Sequence, residues 1–73
     1  MPKLPVLSGA DVICALKNLG FVVVRQRGSH IVMRRGSKGC VIPNHRELKL
    51  GTLTGILKQA GITPEEFIKA LAD

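Results

Sequence analysis

The sequence predicts an α+β domain in two layers, a three-stranded antiparallel sheet with its helices on one face. Three observations carry this: helical periodicity on both sides of a central block, β-branched runs within that block split by glycine-first turns, and capping residues at the boundaries. At 73 residues, 45% of them hydrophobic, the chain has room for one folded domain, residues 1–73, and one core.

MPKLPVL is a short lead-in with two prolines. Ser8 and Asp11 form an S-x-x-D variant of the capping box ahead of DVICALKNLG, where Val12, Ile13, Ala15, Leu16 and Leu19 share one helical face. Asp11, Cys14, Lys17 and Asn18 fall opposite, and Gly20 ends the helix. FVVVRQR and HIVMRR then read as a hairpin, because Gly28-Ser29 between them suits a type II′ turn. GSKG makes a second turn into the short strand CVIP, which Pro43 closes. After the loop NHRELK, Leu53, Ile56, Leu57 and Ala60 repeat at helical spacing up to Gly61. Thr63-Pro64-Glu65-Glu66 is a full capping box, with Ile62 and Phe67 placed as a hydrophobic staple, and starts a last helix from about Pro64 to Leu71.

A two-residue loop predicts the pairs Arg27–His30, Arg25–Val32 and Val23–Arg34. The opposite face then carries Val22, Val24, Ile31 and Met33, joined by Cys40 and Ile42 across the second hairpin, and forms the core. Arg25, Arg27, His30 and Arg34 project from the side away from the helices. A one-residue slip would bury the arginines, which desolvation forbids.

Composition narrows the function. With no Trp, no Tyr and two Phe, the chain has almost no aromatic surface for stacking single-stranded bases. Eleven Lys and Arg against five acids, a formal charge of +6, point to an anionic partner. No apolar run approaches a membrane span and no signal peptide opens the chain, so the expected compartment is cytoplasmic, with reduced thiols and no membrane partner. Cys14, His30, Cys40 and His45 match no familiar zinc spacing, so neither metal nor cofactor is expected.

The basic stretch RQRGSHIVMRR holds the chemistry. An imidazole takes and gives a proton near neutral pH, and guanidinium groups bind phosphate in forked geometry. RNA strand cleavage uses these parts: a base for the 2′-hydroxyl, cations for the charged phosphorane, and an acid for the leaving 5′-oxygen. His30 is the candidate proton-transfer residue, and Arg25, Arg27 and Arg34 are candidate phosphate contacts. Ser29 in the turn, His45 in the following loop, and Lys49, ahead of helix amides able to hold a phosphate, are further candidate RNA contacts.

These segments together resemble the HicA family of toxin ribonucleases. The resemblance runs through S-G-x-x-V-x-x-x-L-x-x-x-G-F from Ser8 to Phe21, R-Q-R-G-S-H from Arg25 to His30, and V-I-P from Val41 to Pro43. It continues in E-L-K-x-G-T-L-x-x-I-L-K-Q-A-G-I-T-P-E-E-F from Glu47 to Phe67. It implies a fold like the double-stranded RNA-binding domain in α-β-β-β-α order, and a toxin that cleaves mRNA without a metal. It also implies that the histidine of the G-S-H element, His30 here, is catalytic. The expected partner is a HicB antitoxin that covers the histidine face and carries its own DNA-binding segment. The alternative is a non-catalytic RNA-binding or partner-binding module on the same basic face, and the two readings part at His30.

Overall fold

The computed structural model describes residue 4 and residues 6–72; the lead-in prolines Pro2 and Pro5 lie outside the described residues. The elements follow in the order α1 (Gly9–Asn18), β1 (Val22–Arg27), β2 (His30–Arg35), β3 (Lys38–Pro43), α2 (Leu50–Ala60) and α3 (Pro64–Leu71). The three strands form an antiparallel sheet in the order β1-β2-β3, which with the helices gives the α-β-β-β-α layout of a double-stranded RNA-binding domain plus a short C-terminal helix.

Both capping boxes form. Ser8 N–H donates to the Asp11 carboxylate and Asp11 N–H to the Ser8 hydroxyl, each at 3.1 Å. Thr63 N–H donates to Glu66 at 2.9 Å and Glu66 N–H to the Thr63 hydroxyl at 3.1 Å. Bonds from the Thr63 backbone and hydroxyl hold the Glu66 carboxyl below its ordinary value. A lowered carboxyl stabilises the fold above its unfolded pKa, and that contribution is lost as pH falls through the folded value.

The two hairpins turn alike. Gly28 and Gly36 each have φ of 59°, while among the described residues none other than glycine has positive φ, so each Gly-Ser pair is the type II′ turn in which only the first position needs glycine. The second loop is thus the two residues Gly36-Ser37, with Arg35 opposite Lys38, rather than the four of GSKG. Lys38 and Gly39 join β3, and shortening the loop by these two residues at one end moves the register by two and keeps every side chain on its face. Ile31, Met33, Cys40 and Ile42 accordingly meet the helices as expected.

β1 departs from expectation. Its register shifts between Val23 and Arg25, so Val22 lies opposite Arg34 and Val23 opposite Met33, where a regular hairpin would pair Val23 with Arg34. A bulge places one extra residue in the strand, here Val24, and flips the residues beyond it to the other face. Val22 and Val24 therefore do not join the core: they are 58% and 52% exposed, and Val23 is 44% exposed. Strand order gives the second reason, since β1 is an edge strand and α1 and α2 pack against β3. The bulge and the flanking Arg25 and Arg27 are the devices that keep such an edge from pairing with other chains.

The core lies between the β2–β3 half of the sheet and the helices. Val12, Ala15 and Leu16 come from α1, Leu53, Ile56, Leu57 and Ala60 from α2, and Phe67 and Ala70 from α3. The Asn18 amide donates to the Ala70 carbonyl at 3.0 Å and ties α3 to α1. Gln59 Oε1 accepts from Val41 N–H at 3.3 Å on the open edge of β3, and the Lys38 side chain lies against Gly61. α2 therefore runs back along β3, with its first turn toward the Pro43 end. Among the described residues no helix is long and apolar enough to cross a membrane.

Burial pushes the Cys40 thiol up to about 11, while Cys14 is exposed. Since thiolate is the reactive form, a thiol reagent at pH 8 should label Cys14 alone in the native protein and both cysteines after denaturation. Labelling of two thiols in the native state would show that the sheet opens.

Candidate active site on the open face of the sheet

Residues directly opposite one another in an antiparallel sheet share a face, so the register defines the side away from the helices as three rows. The first is Arg27, His30 and Pro43; the second Arg25, Val32 and Val41; the third Val22, Arg34 and Gly39. No row contains a carboxylate. Each row is about 7 Å from the next, two residues at a rise of about 3.3 Å.

His30 is exposed and stands beside Arg27 in the first row, with Arg25 one row away. The face around His30 thus carries two arginines from one strand. Arg34 is four residues along β2 from His30, about 13 Å at the same rise, and does not share its immediate surroundings. Its Cγ and Nε would lie 3.4 and 3.7 Å from a Cβ built on Gly39, so the side chain crosses over that glycine toward the far edge of β3. Arg35 is engaged elsewhere, donating to the Leu19 carbonyl at 2.7 Å and stacking on Phe21, 4.8 Å from the ring centroid. A cation there answers the negative C-terminal end of α1.

His45 is brought to the His30 end of the sheet by backbone bonds. Asn44 N–H donates to the Ser29 carbonyl at 2.6 Å, His45 N–H to the Pro43 carbonyl at 2.9 Å, and Gly9 N–H to the His45 carbonyl at 2.8 Å. His45 is two residues past Pro43, which faces His30, so the two histidine backbones stand on the order of 10 Å apart. The antiparallel bridge between Leu7 and Leu48 closes this loop on its other side. Ser29, His45 and Lys49 are exposed, and Lys49 is the N-cap of α2 without a side-chain cap bond, so the first amides of that helix also face this end. Among the described residues no three His, Cys, Asp or Glu side chains come together as a metal-binding group.

Comparison with protein families gives a match to the HicA toxin of bacterial toxin-antitoxin systems, over residues 9–62. The chain belongs to the HicA toxin family. The match takes in α1, the whole sheet and α2, and so every row of the open face and both histidines of this HicA protein; it ends before α3. A sequence comparison with curated proteins finds no match.

Gly9, which the charge pattern does not single out, is tightly packed at this end. A Cβ there would stand 2.4 Å from the Pro43 carbonyl oxygen and 2.8 Å from Asn44 Cα, both backbone atoms. Gly9→Ala should therefore destabilise by about 1–3 kcal/mol in urea unfolding, as overpacking does, and shift the amide resonances of Asn44 and His45. A loss below about 0.5 kcal/mol, with those resonances unmoved, would mean that the loop is not held against α1.

Proposed function

We propose that this HicA-family protein is an endoribonuclease that cleaves mRNA through His30, without a metal, and is restrained by a HicB-type antitoxin over the same face. The observation that carries the reading is the first row, an exposed histidine directly opposite Arg27 on a face free of carboxylates.

The 2′-hydroxyl loses its proton to a base as its oxygen bonds to the adjacent phosphorus. The bond from phosphorus to the 5′-oxygen breaks, and that oxygen takes a proton from an acid. The products are a 2′,3′-cyclic phosphate and a 5′-hydroxyl. His30 serves as base or acid in this exchange, which general acid-base catalysis by imidazole makes efficient at neutral pH. Arg27 and Arg25 bind the phosphate and stabilise the charge that grows on its oxygens. Ser29, His45 and Lys49 contact the RNA where it leaves the sheet at the turn and at the start of α2, and Arg34 contacts it further along.

The test is incubation of the purified protein with end-labelled single-stranded mRNA in excess EDTA. Fragments ending in a 2′,3′-cyclic phosphate are expected. RNA bound but left whole would overturn the nuclease reading and leave a basic binding module.

A further inference from the structure

The β2–β3 side of the second and third rows forms a place of its own. Val32, Arg34, Gly39, Cys40, Val41 and Gln59 line a shallow groove of about 310 Å³, at the small end of the range for ligand sites. Its floor is aliphatic, with Val41 41% exposed and Gly39 contributing no side chain. Arg34 lies across Gly39, so the guanidinium extends from a packed stem. On the other wall, Gln59 turns its carbonyl oxygen to Val41 N–H, which leaves the NH₂ group of that amide as a donor.

We infer that this groove is a base subsite, and that Arg34 selects guanine one or two nucleotides from the bond cleaved at His30. The inference rests on the nuclease reading for its position relative to the cut. RNA is the occupant that suits a carboxylate-free face on a chain of charge +6. An extended strand lying along β2 from His30 carries its next nucleotides over Val32 and then Arg34. Aromatic stacking is not available, because both phenylalanines are buried in the core. Reading must therefore come from hydrogen bonds to the edge of an unstacked base.

Chemistry selects the base. Arg34 and the Gln59 amide offer donors, and guanine presents two adjacent acceptors, O6 and N7, that match a guanidinium fork. Adenine sets a donor beside N7, and the pyrimidines offer no such acceptor pair on that edge.

The first arm of the test maps every cut in a randomised single-stranded RNA pool, for the natural protein and for Arg34→Ala. Guanine should be enriched at one fixed position within two nucleotides of the cut, by roughly 5- to 100-fold, the discrimination a good bidentate pair provides. Arg34→Ala should flatten that preference, with cuts next to guanine falling more than cuts next to the other bases, beyond any loss common to all sequences from the removed charge. Loss of cutting that is equal for all sequences would make Arg34 a phosphate contact and overturn the subsite. So would the absence of any guanine preference in the natural protein.

The second arm does not need cleavage. Isotope-labelled His30→Ala is titrated with short oligonucleotides, one containing guanine and one of uracil alone. Shifts at Gly39, Val41 and the Gln59 side-chain amide, larger with guanine, support the subsite even if the natural protein proves inactive. Shifts confined to the Arg27 end, or equal for the two oligonucleotides, overturn it even if the protein is a nuclease.

Discussion

His30→Ala should lower RNA cleavage by about 10²- to 10⁴-fold while leaving the fold and RNA binding in place. The magnitude is that of a general acid or base removed from a reaction whose other contributors stay. Those contributors remain because Arg27 and Arg25 belong to β1, and the turn that presents them depends on Gly28 rather than on the imidazole. Stability should change by no more than about 0.5 kcal/mol, since His30 is exposed and outside the hydrophobic core. Affinity for RNA, measured as a function of salt on the variant, should keep its slope, because the slope counts neutralised phosphates and no arginine has been lost. His30→Gln provides the sharper comparison. It retains a polar side chain able to hydrogen-bond but cannot transfer a proton near neutral pH, so it should fail as alanine fails. Cleavage by either variant within a few-fold of the natural protein, both being folded, would remove His30 from the chemistry.

Some of this arrangement is legible in the residues and some is not. Alternation in HIVMRR and CVIP shows which side of β2 and β3 is apolar, and Gly28-Ser29 sets the parity of the first hairpin, so His30 opposite Arg27 follows from local rules. The bulge at Val24 does not follow. Three consecutive valines satisfy either register, and nothing in their chemistry marks where an extra residue enters. A regular register assigns Val22 and Val24 to a core that the helices, seated over β3, do not extend to cover. Arg34 is close to His30 in the sequence, but strand geometry separates the two by two rows. His45 presents the opposite case. Its position depends on main-chain bonds to Ser29, Pro43 and Gly9, which every sequence of that length could offer and which no side chain announces. The one residue that does report this packing is Gly9, since a side chain there would meet the loop.

Phe67→Ala should destabilise the protein by about 3–5 kcal/mol, the range for emptying a fully buried aromatic site. Phe67 is 0% exposed in α3, a helix outside the segment that matches the family. A domain of 73 residues has about 4–11 kcal/mol of stability at the usual 0.05–0.15 kcal/mol per residue, so the loss is a large part of the whole. The helix is marginal by itself: its 8 residues are too few to hold helical form in water, even with both partners of the Thr63–Glu66 box and proline at its start. What holds α3 is the burial of Phe67 and Ala70 and the Asn18 bond to the Ala70 carbonyl. Because α1 takes part in that contact and also donates Gly9 N–H to the loop carrying His45, weakening α3 loosens a support that extends to the histidine end of the sheet. Urea unfolding of Phe67→Ala beside the natural protein measures the effect, and cleavage at a temperature where the variant is still folded tests the coupling. A midpoint change equivalent to less than about 1 kcal/mol would mean that α3 is an appendage, and that residues 9–62 carry the stable core without it.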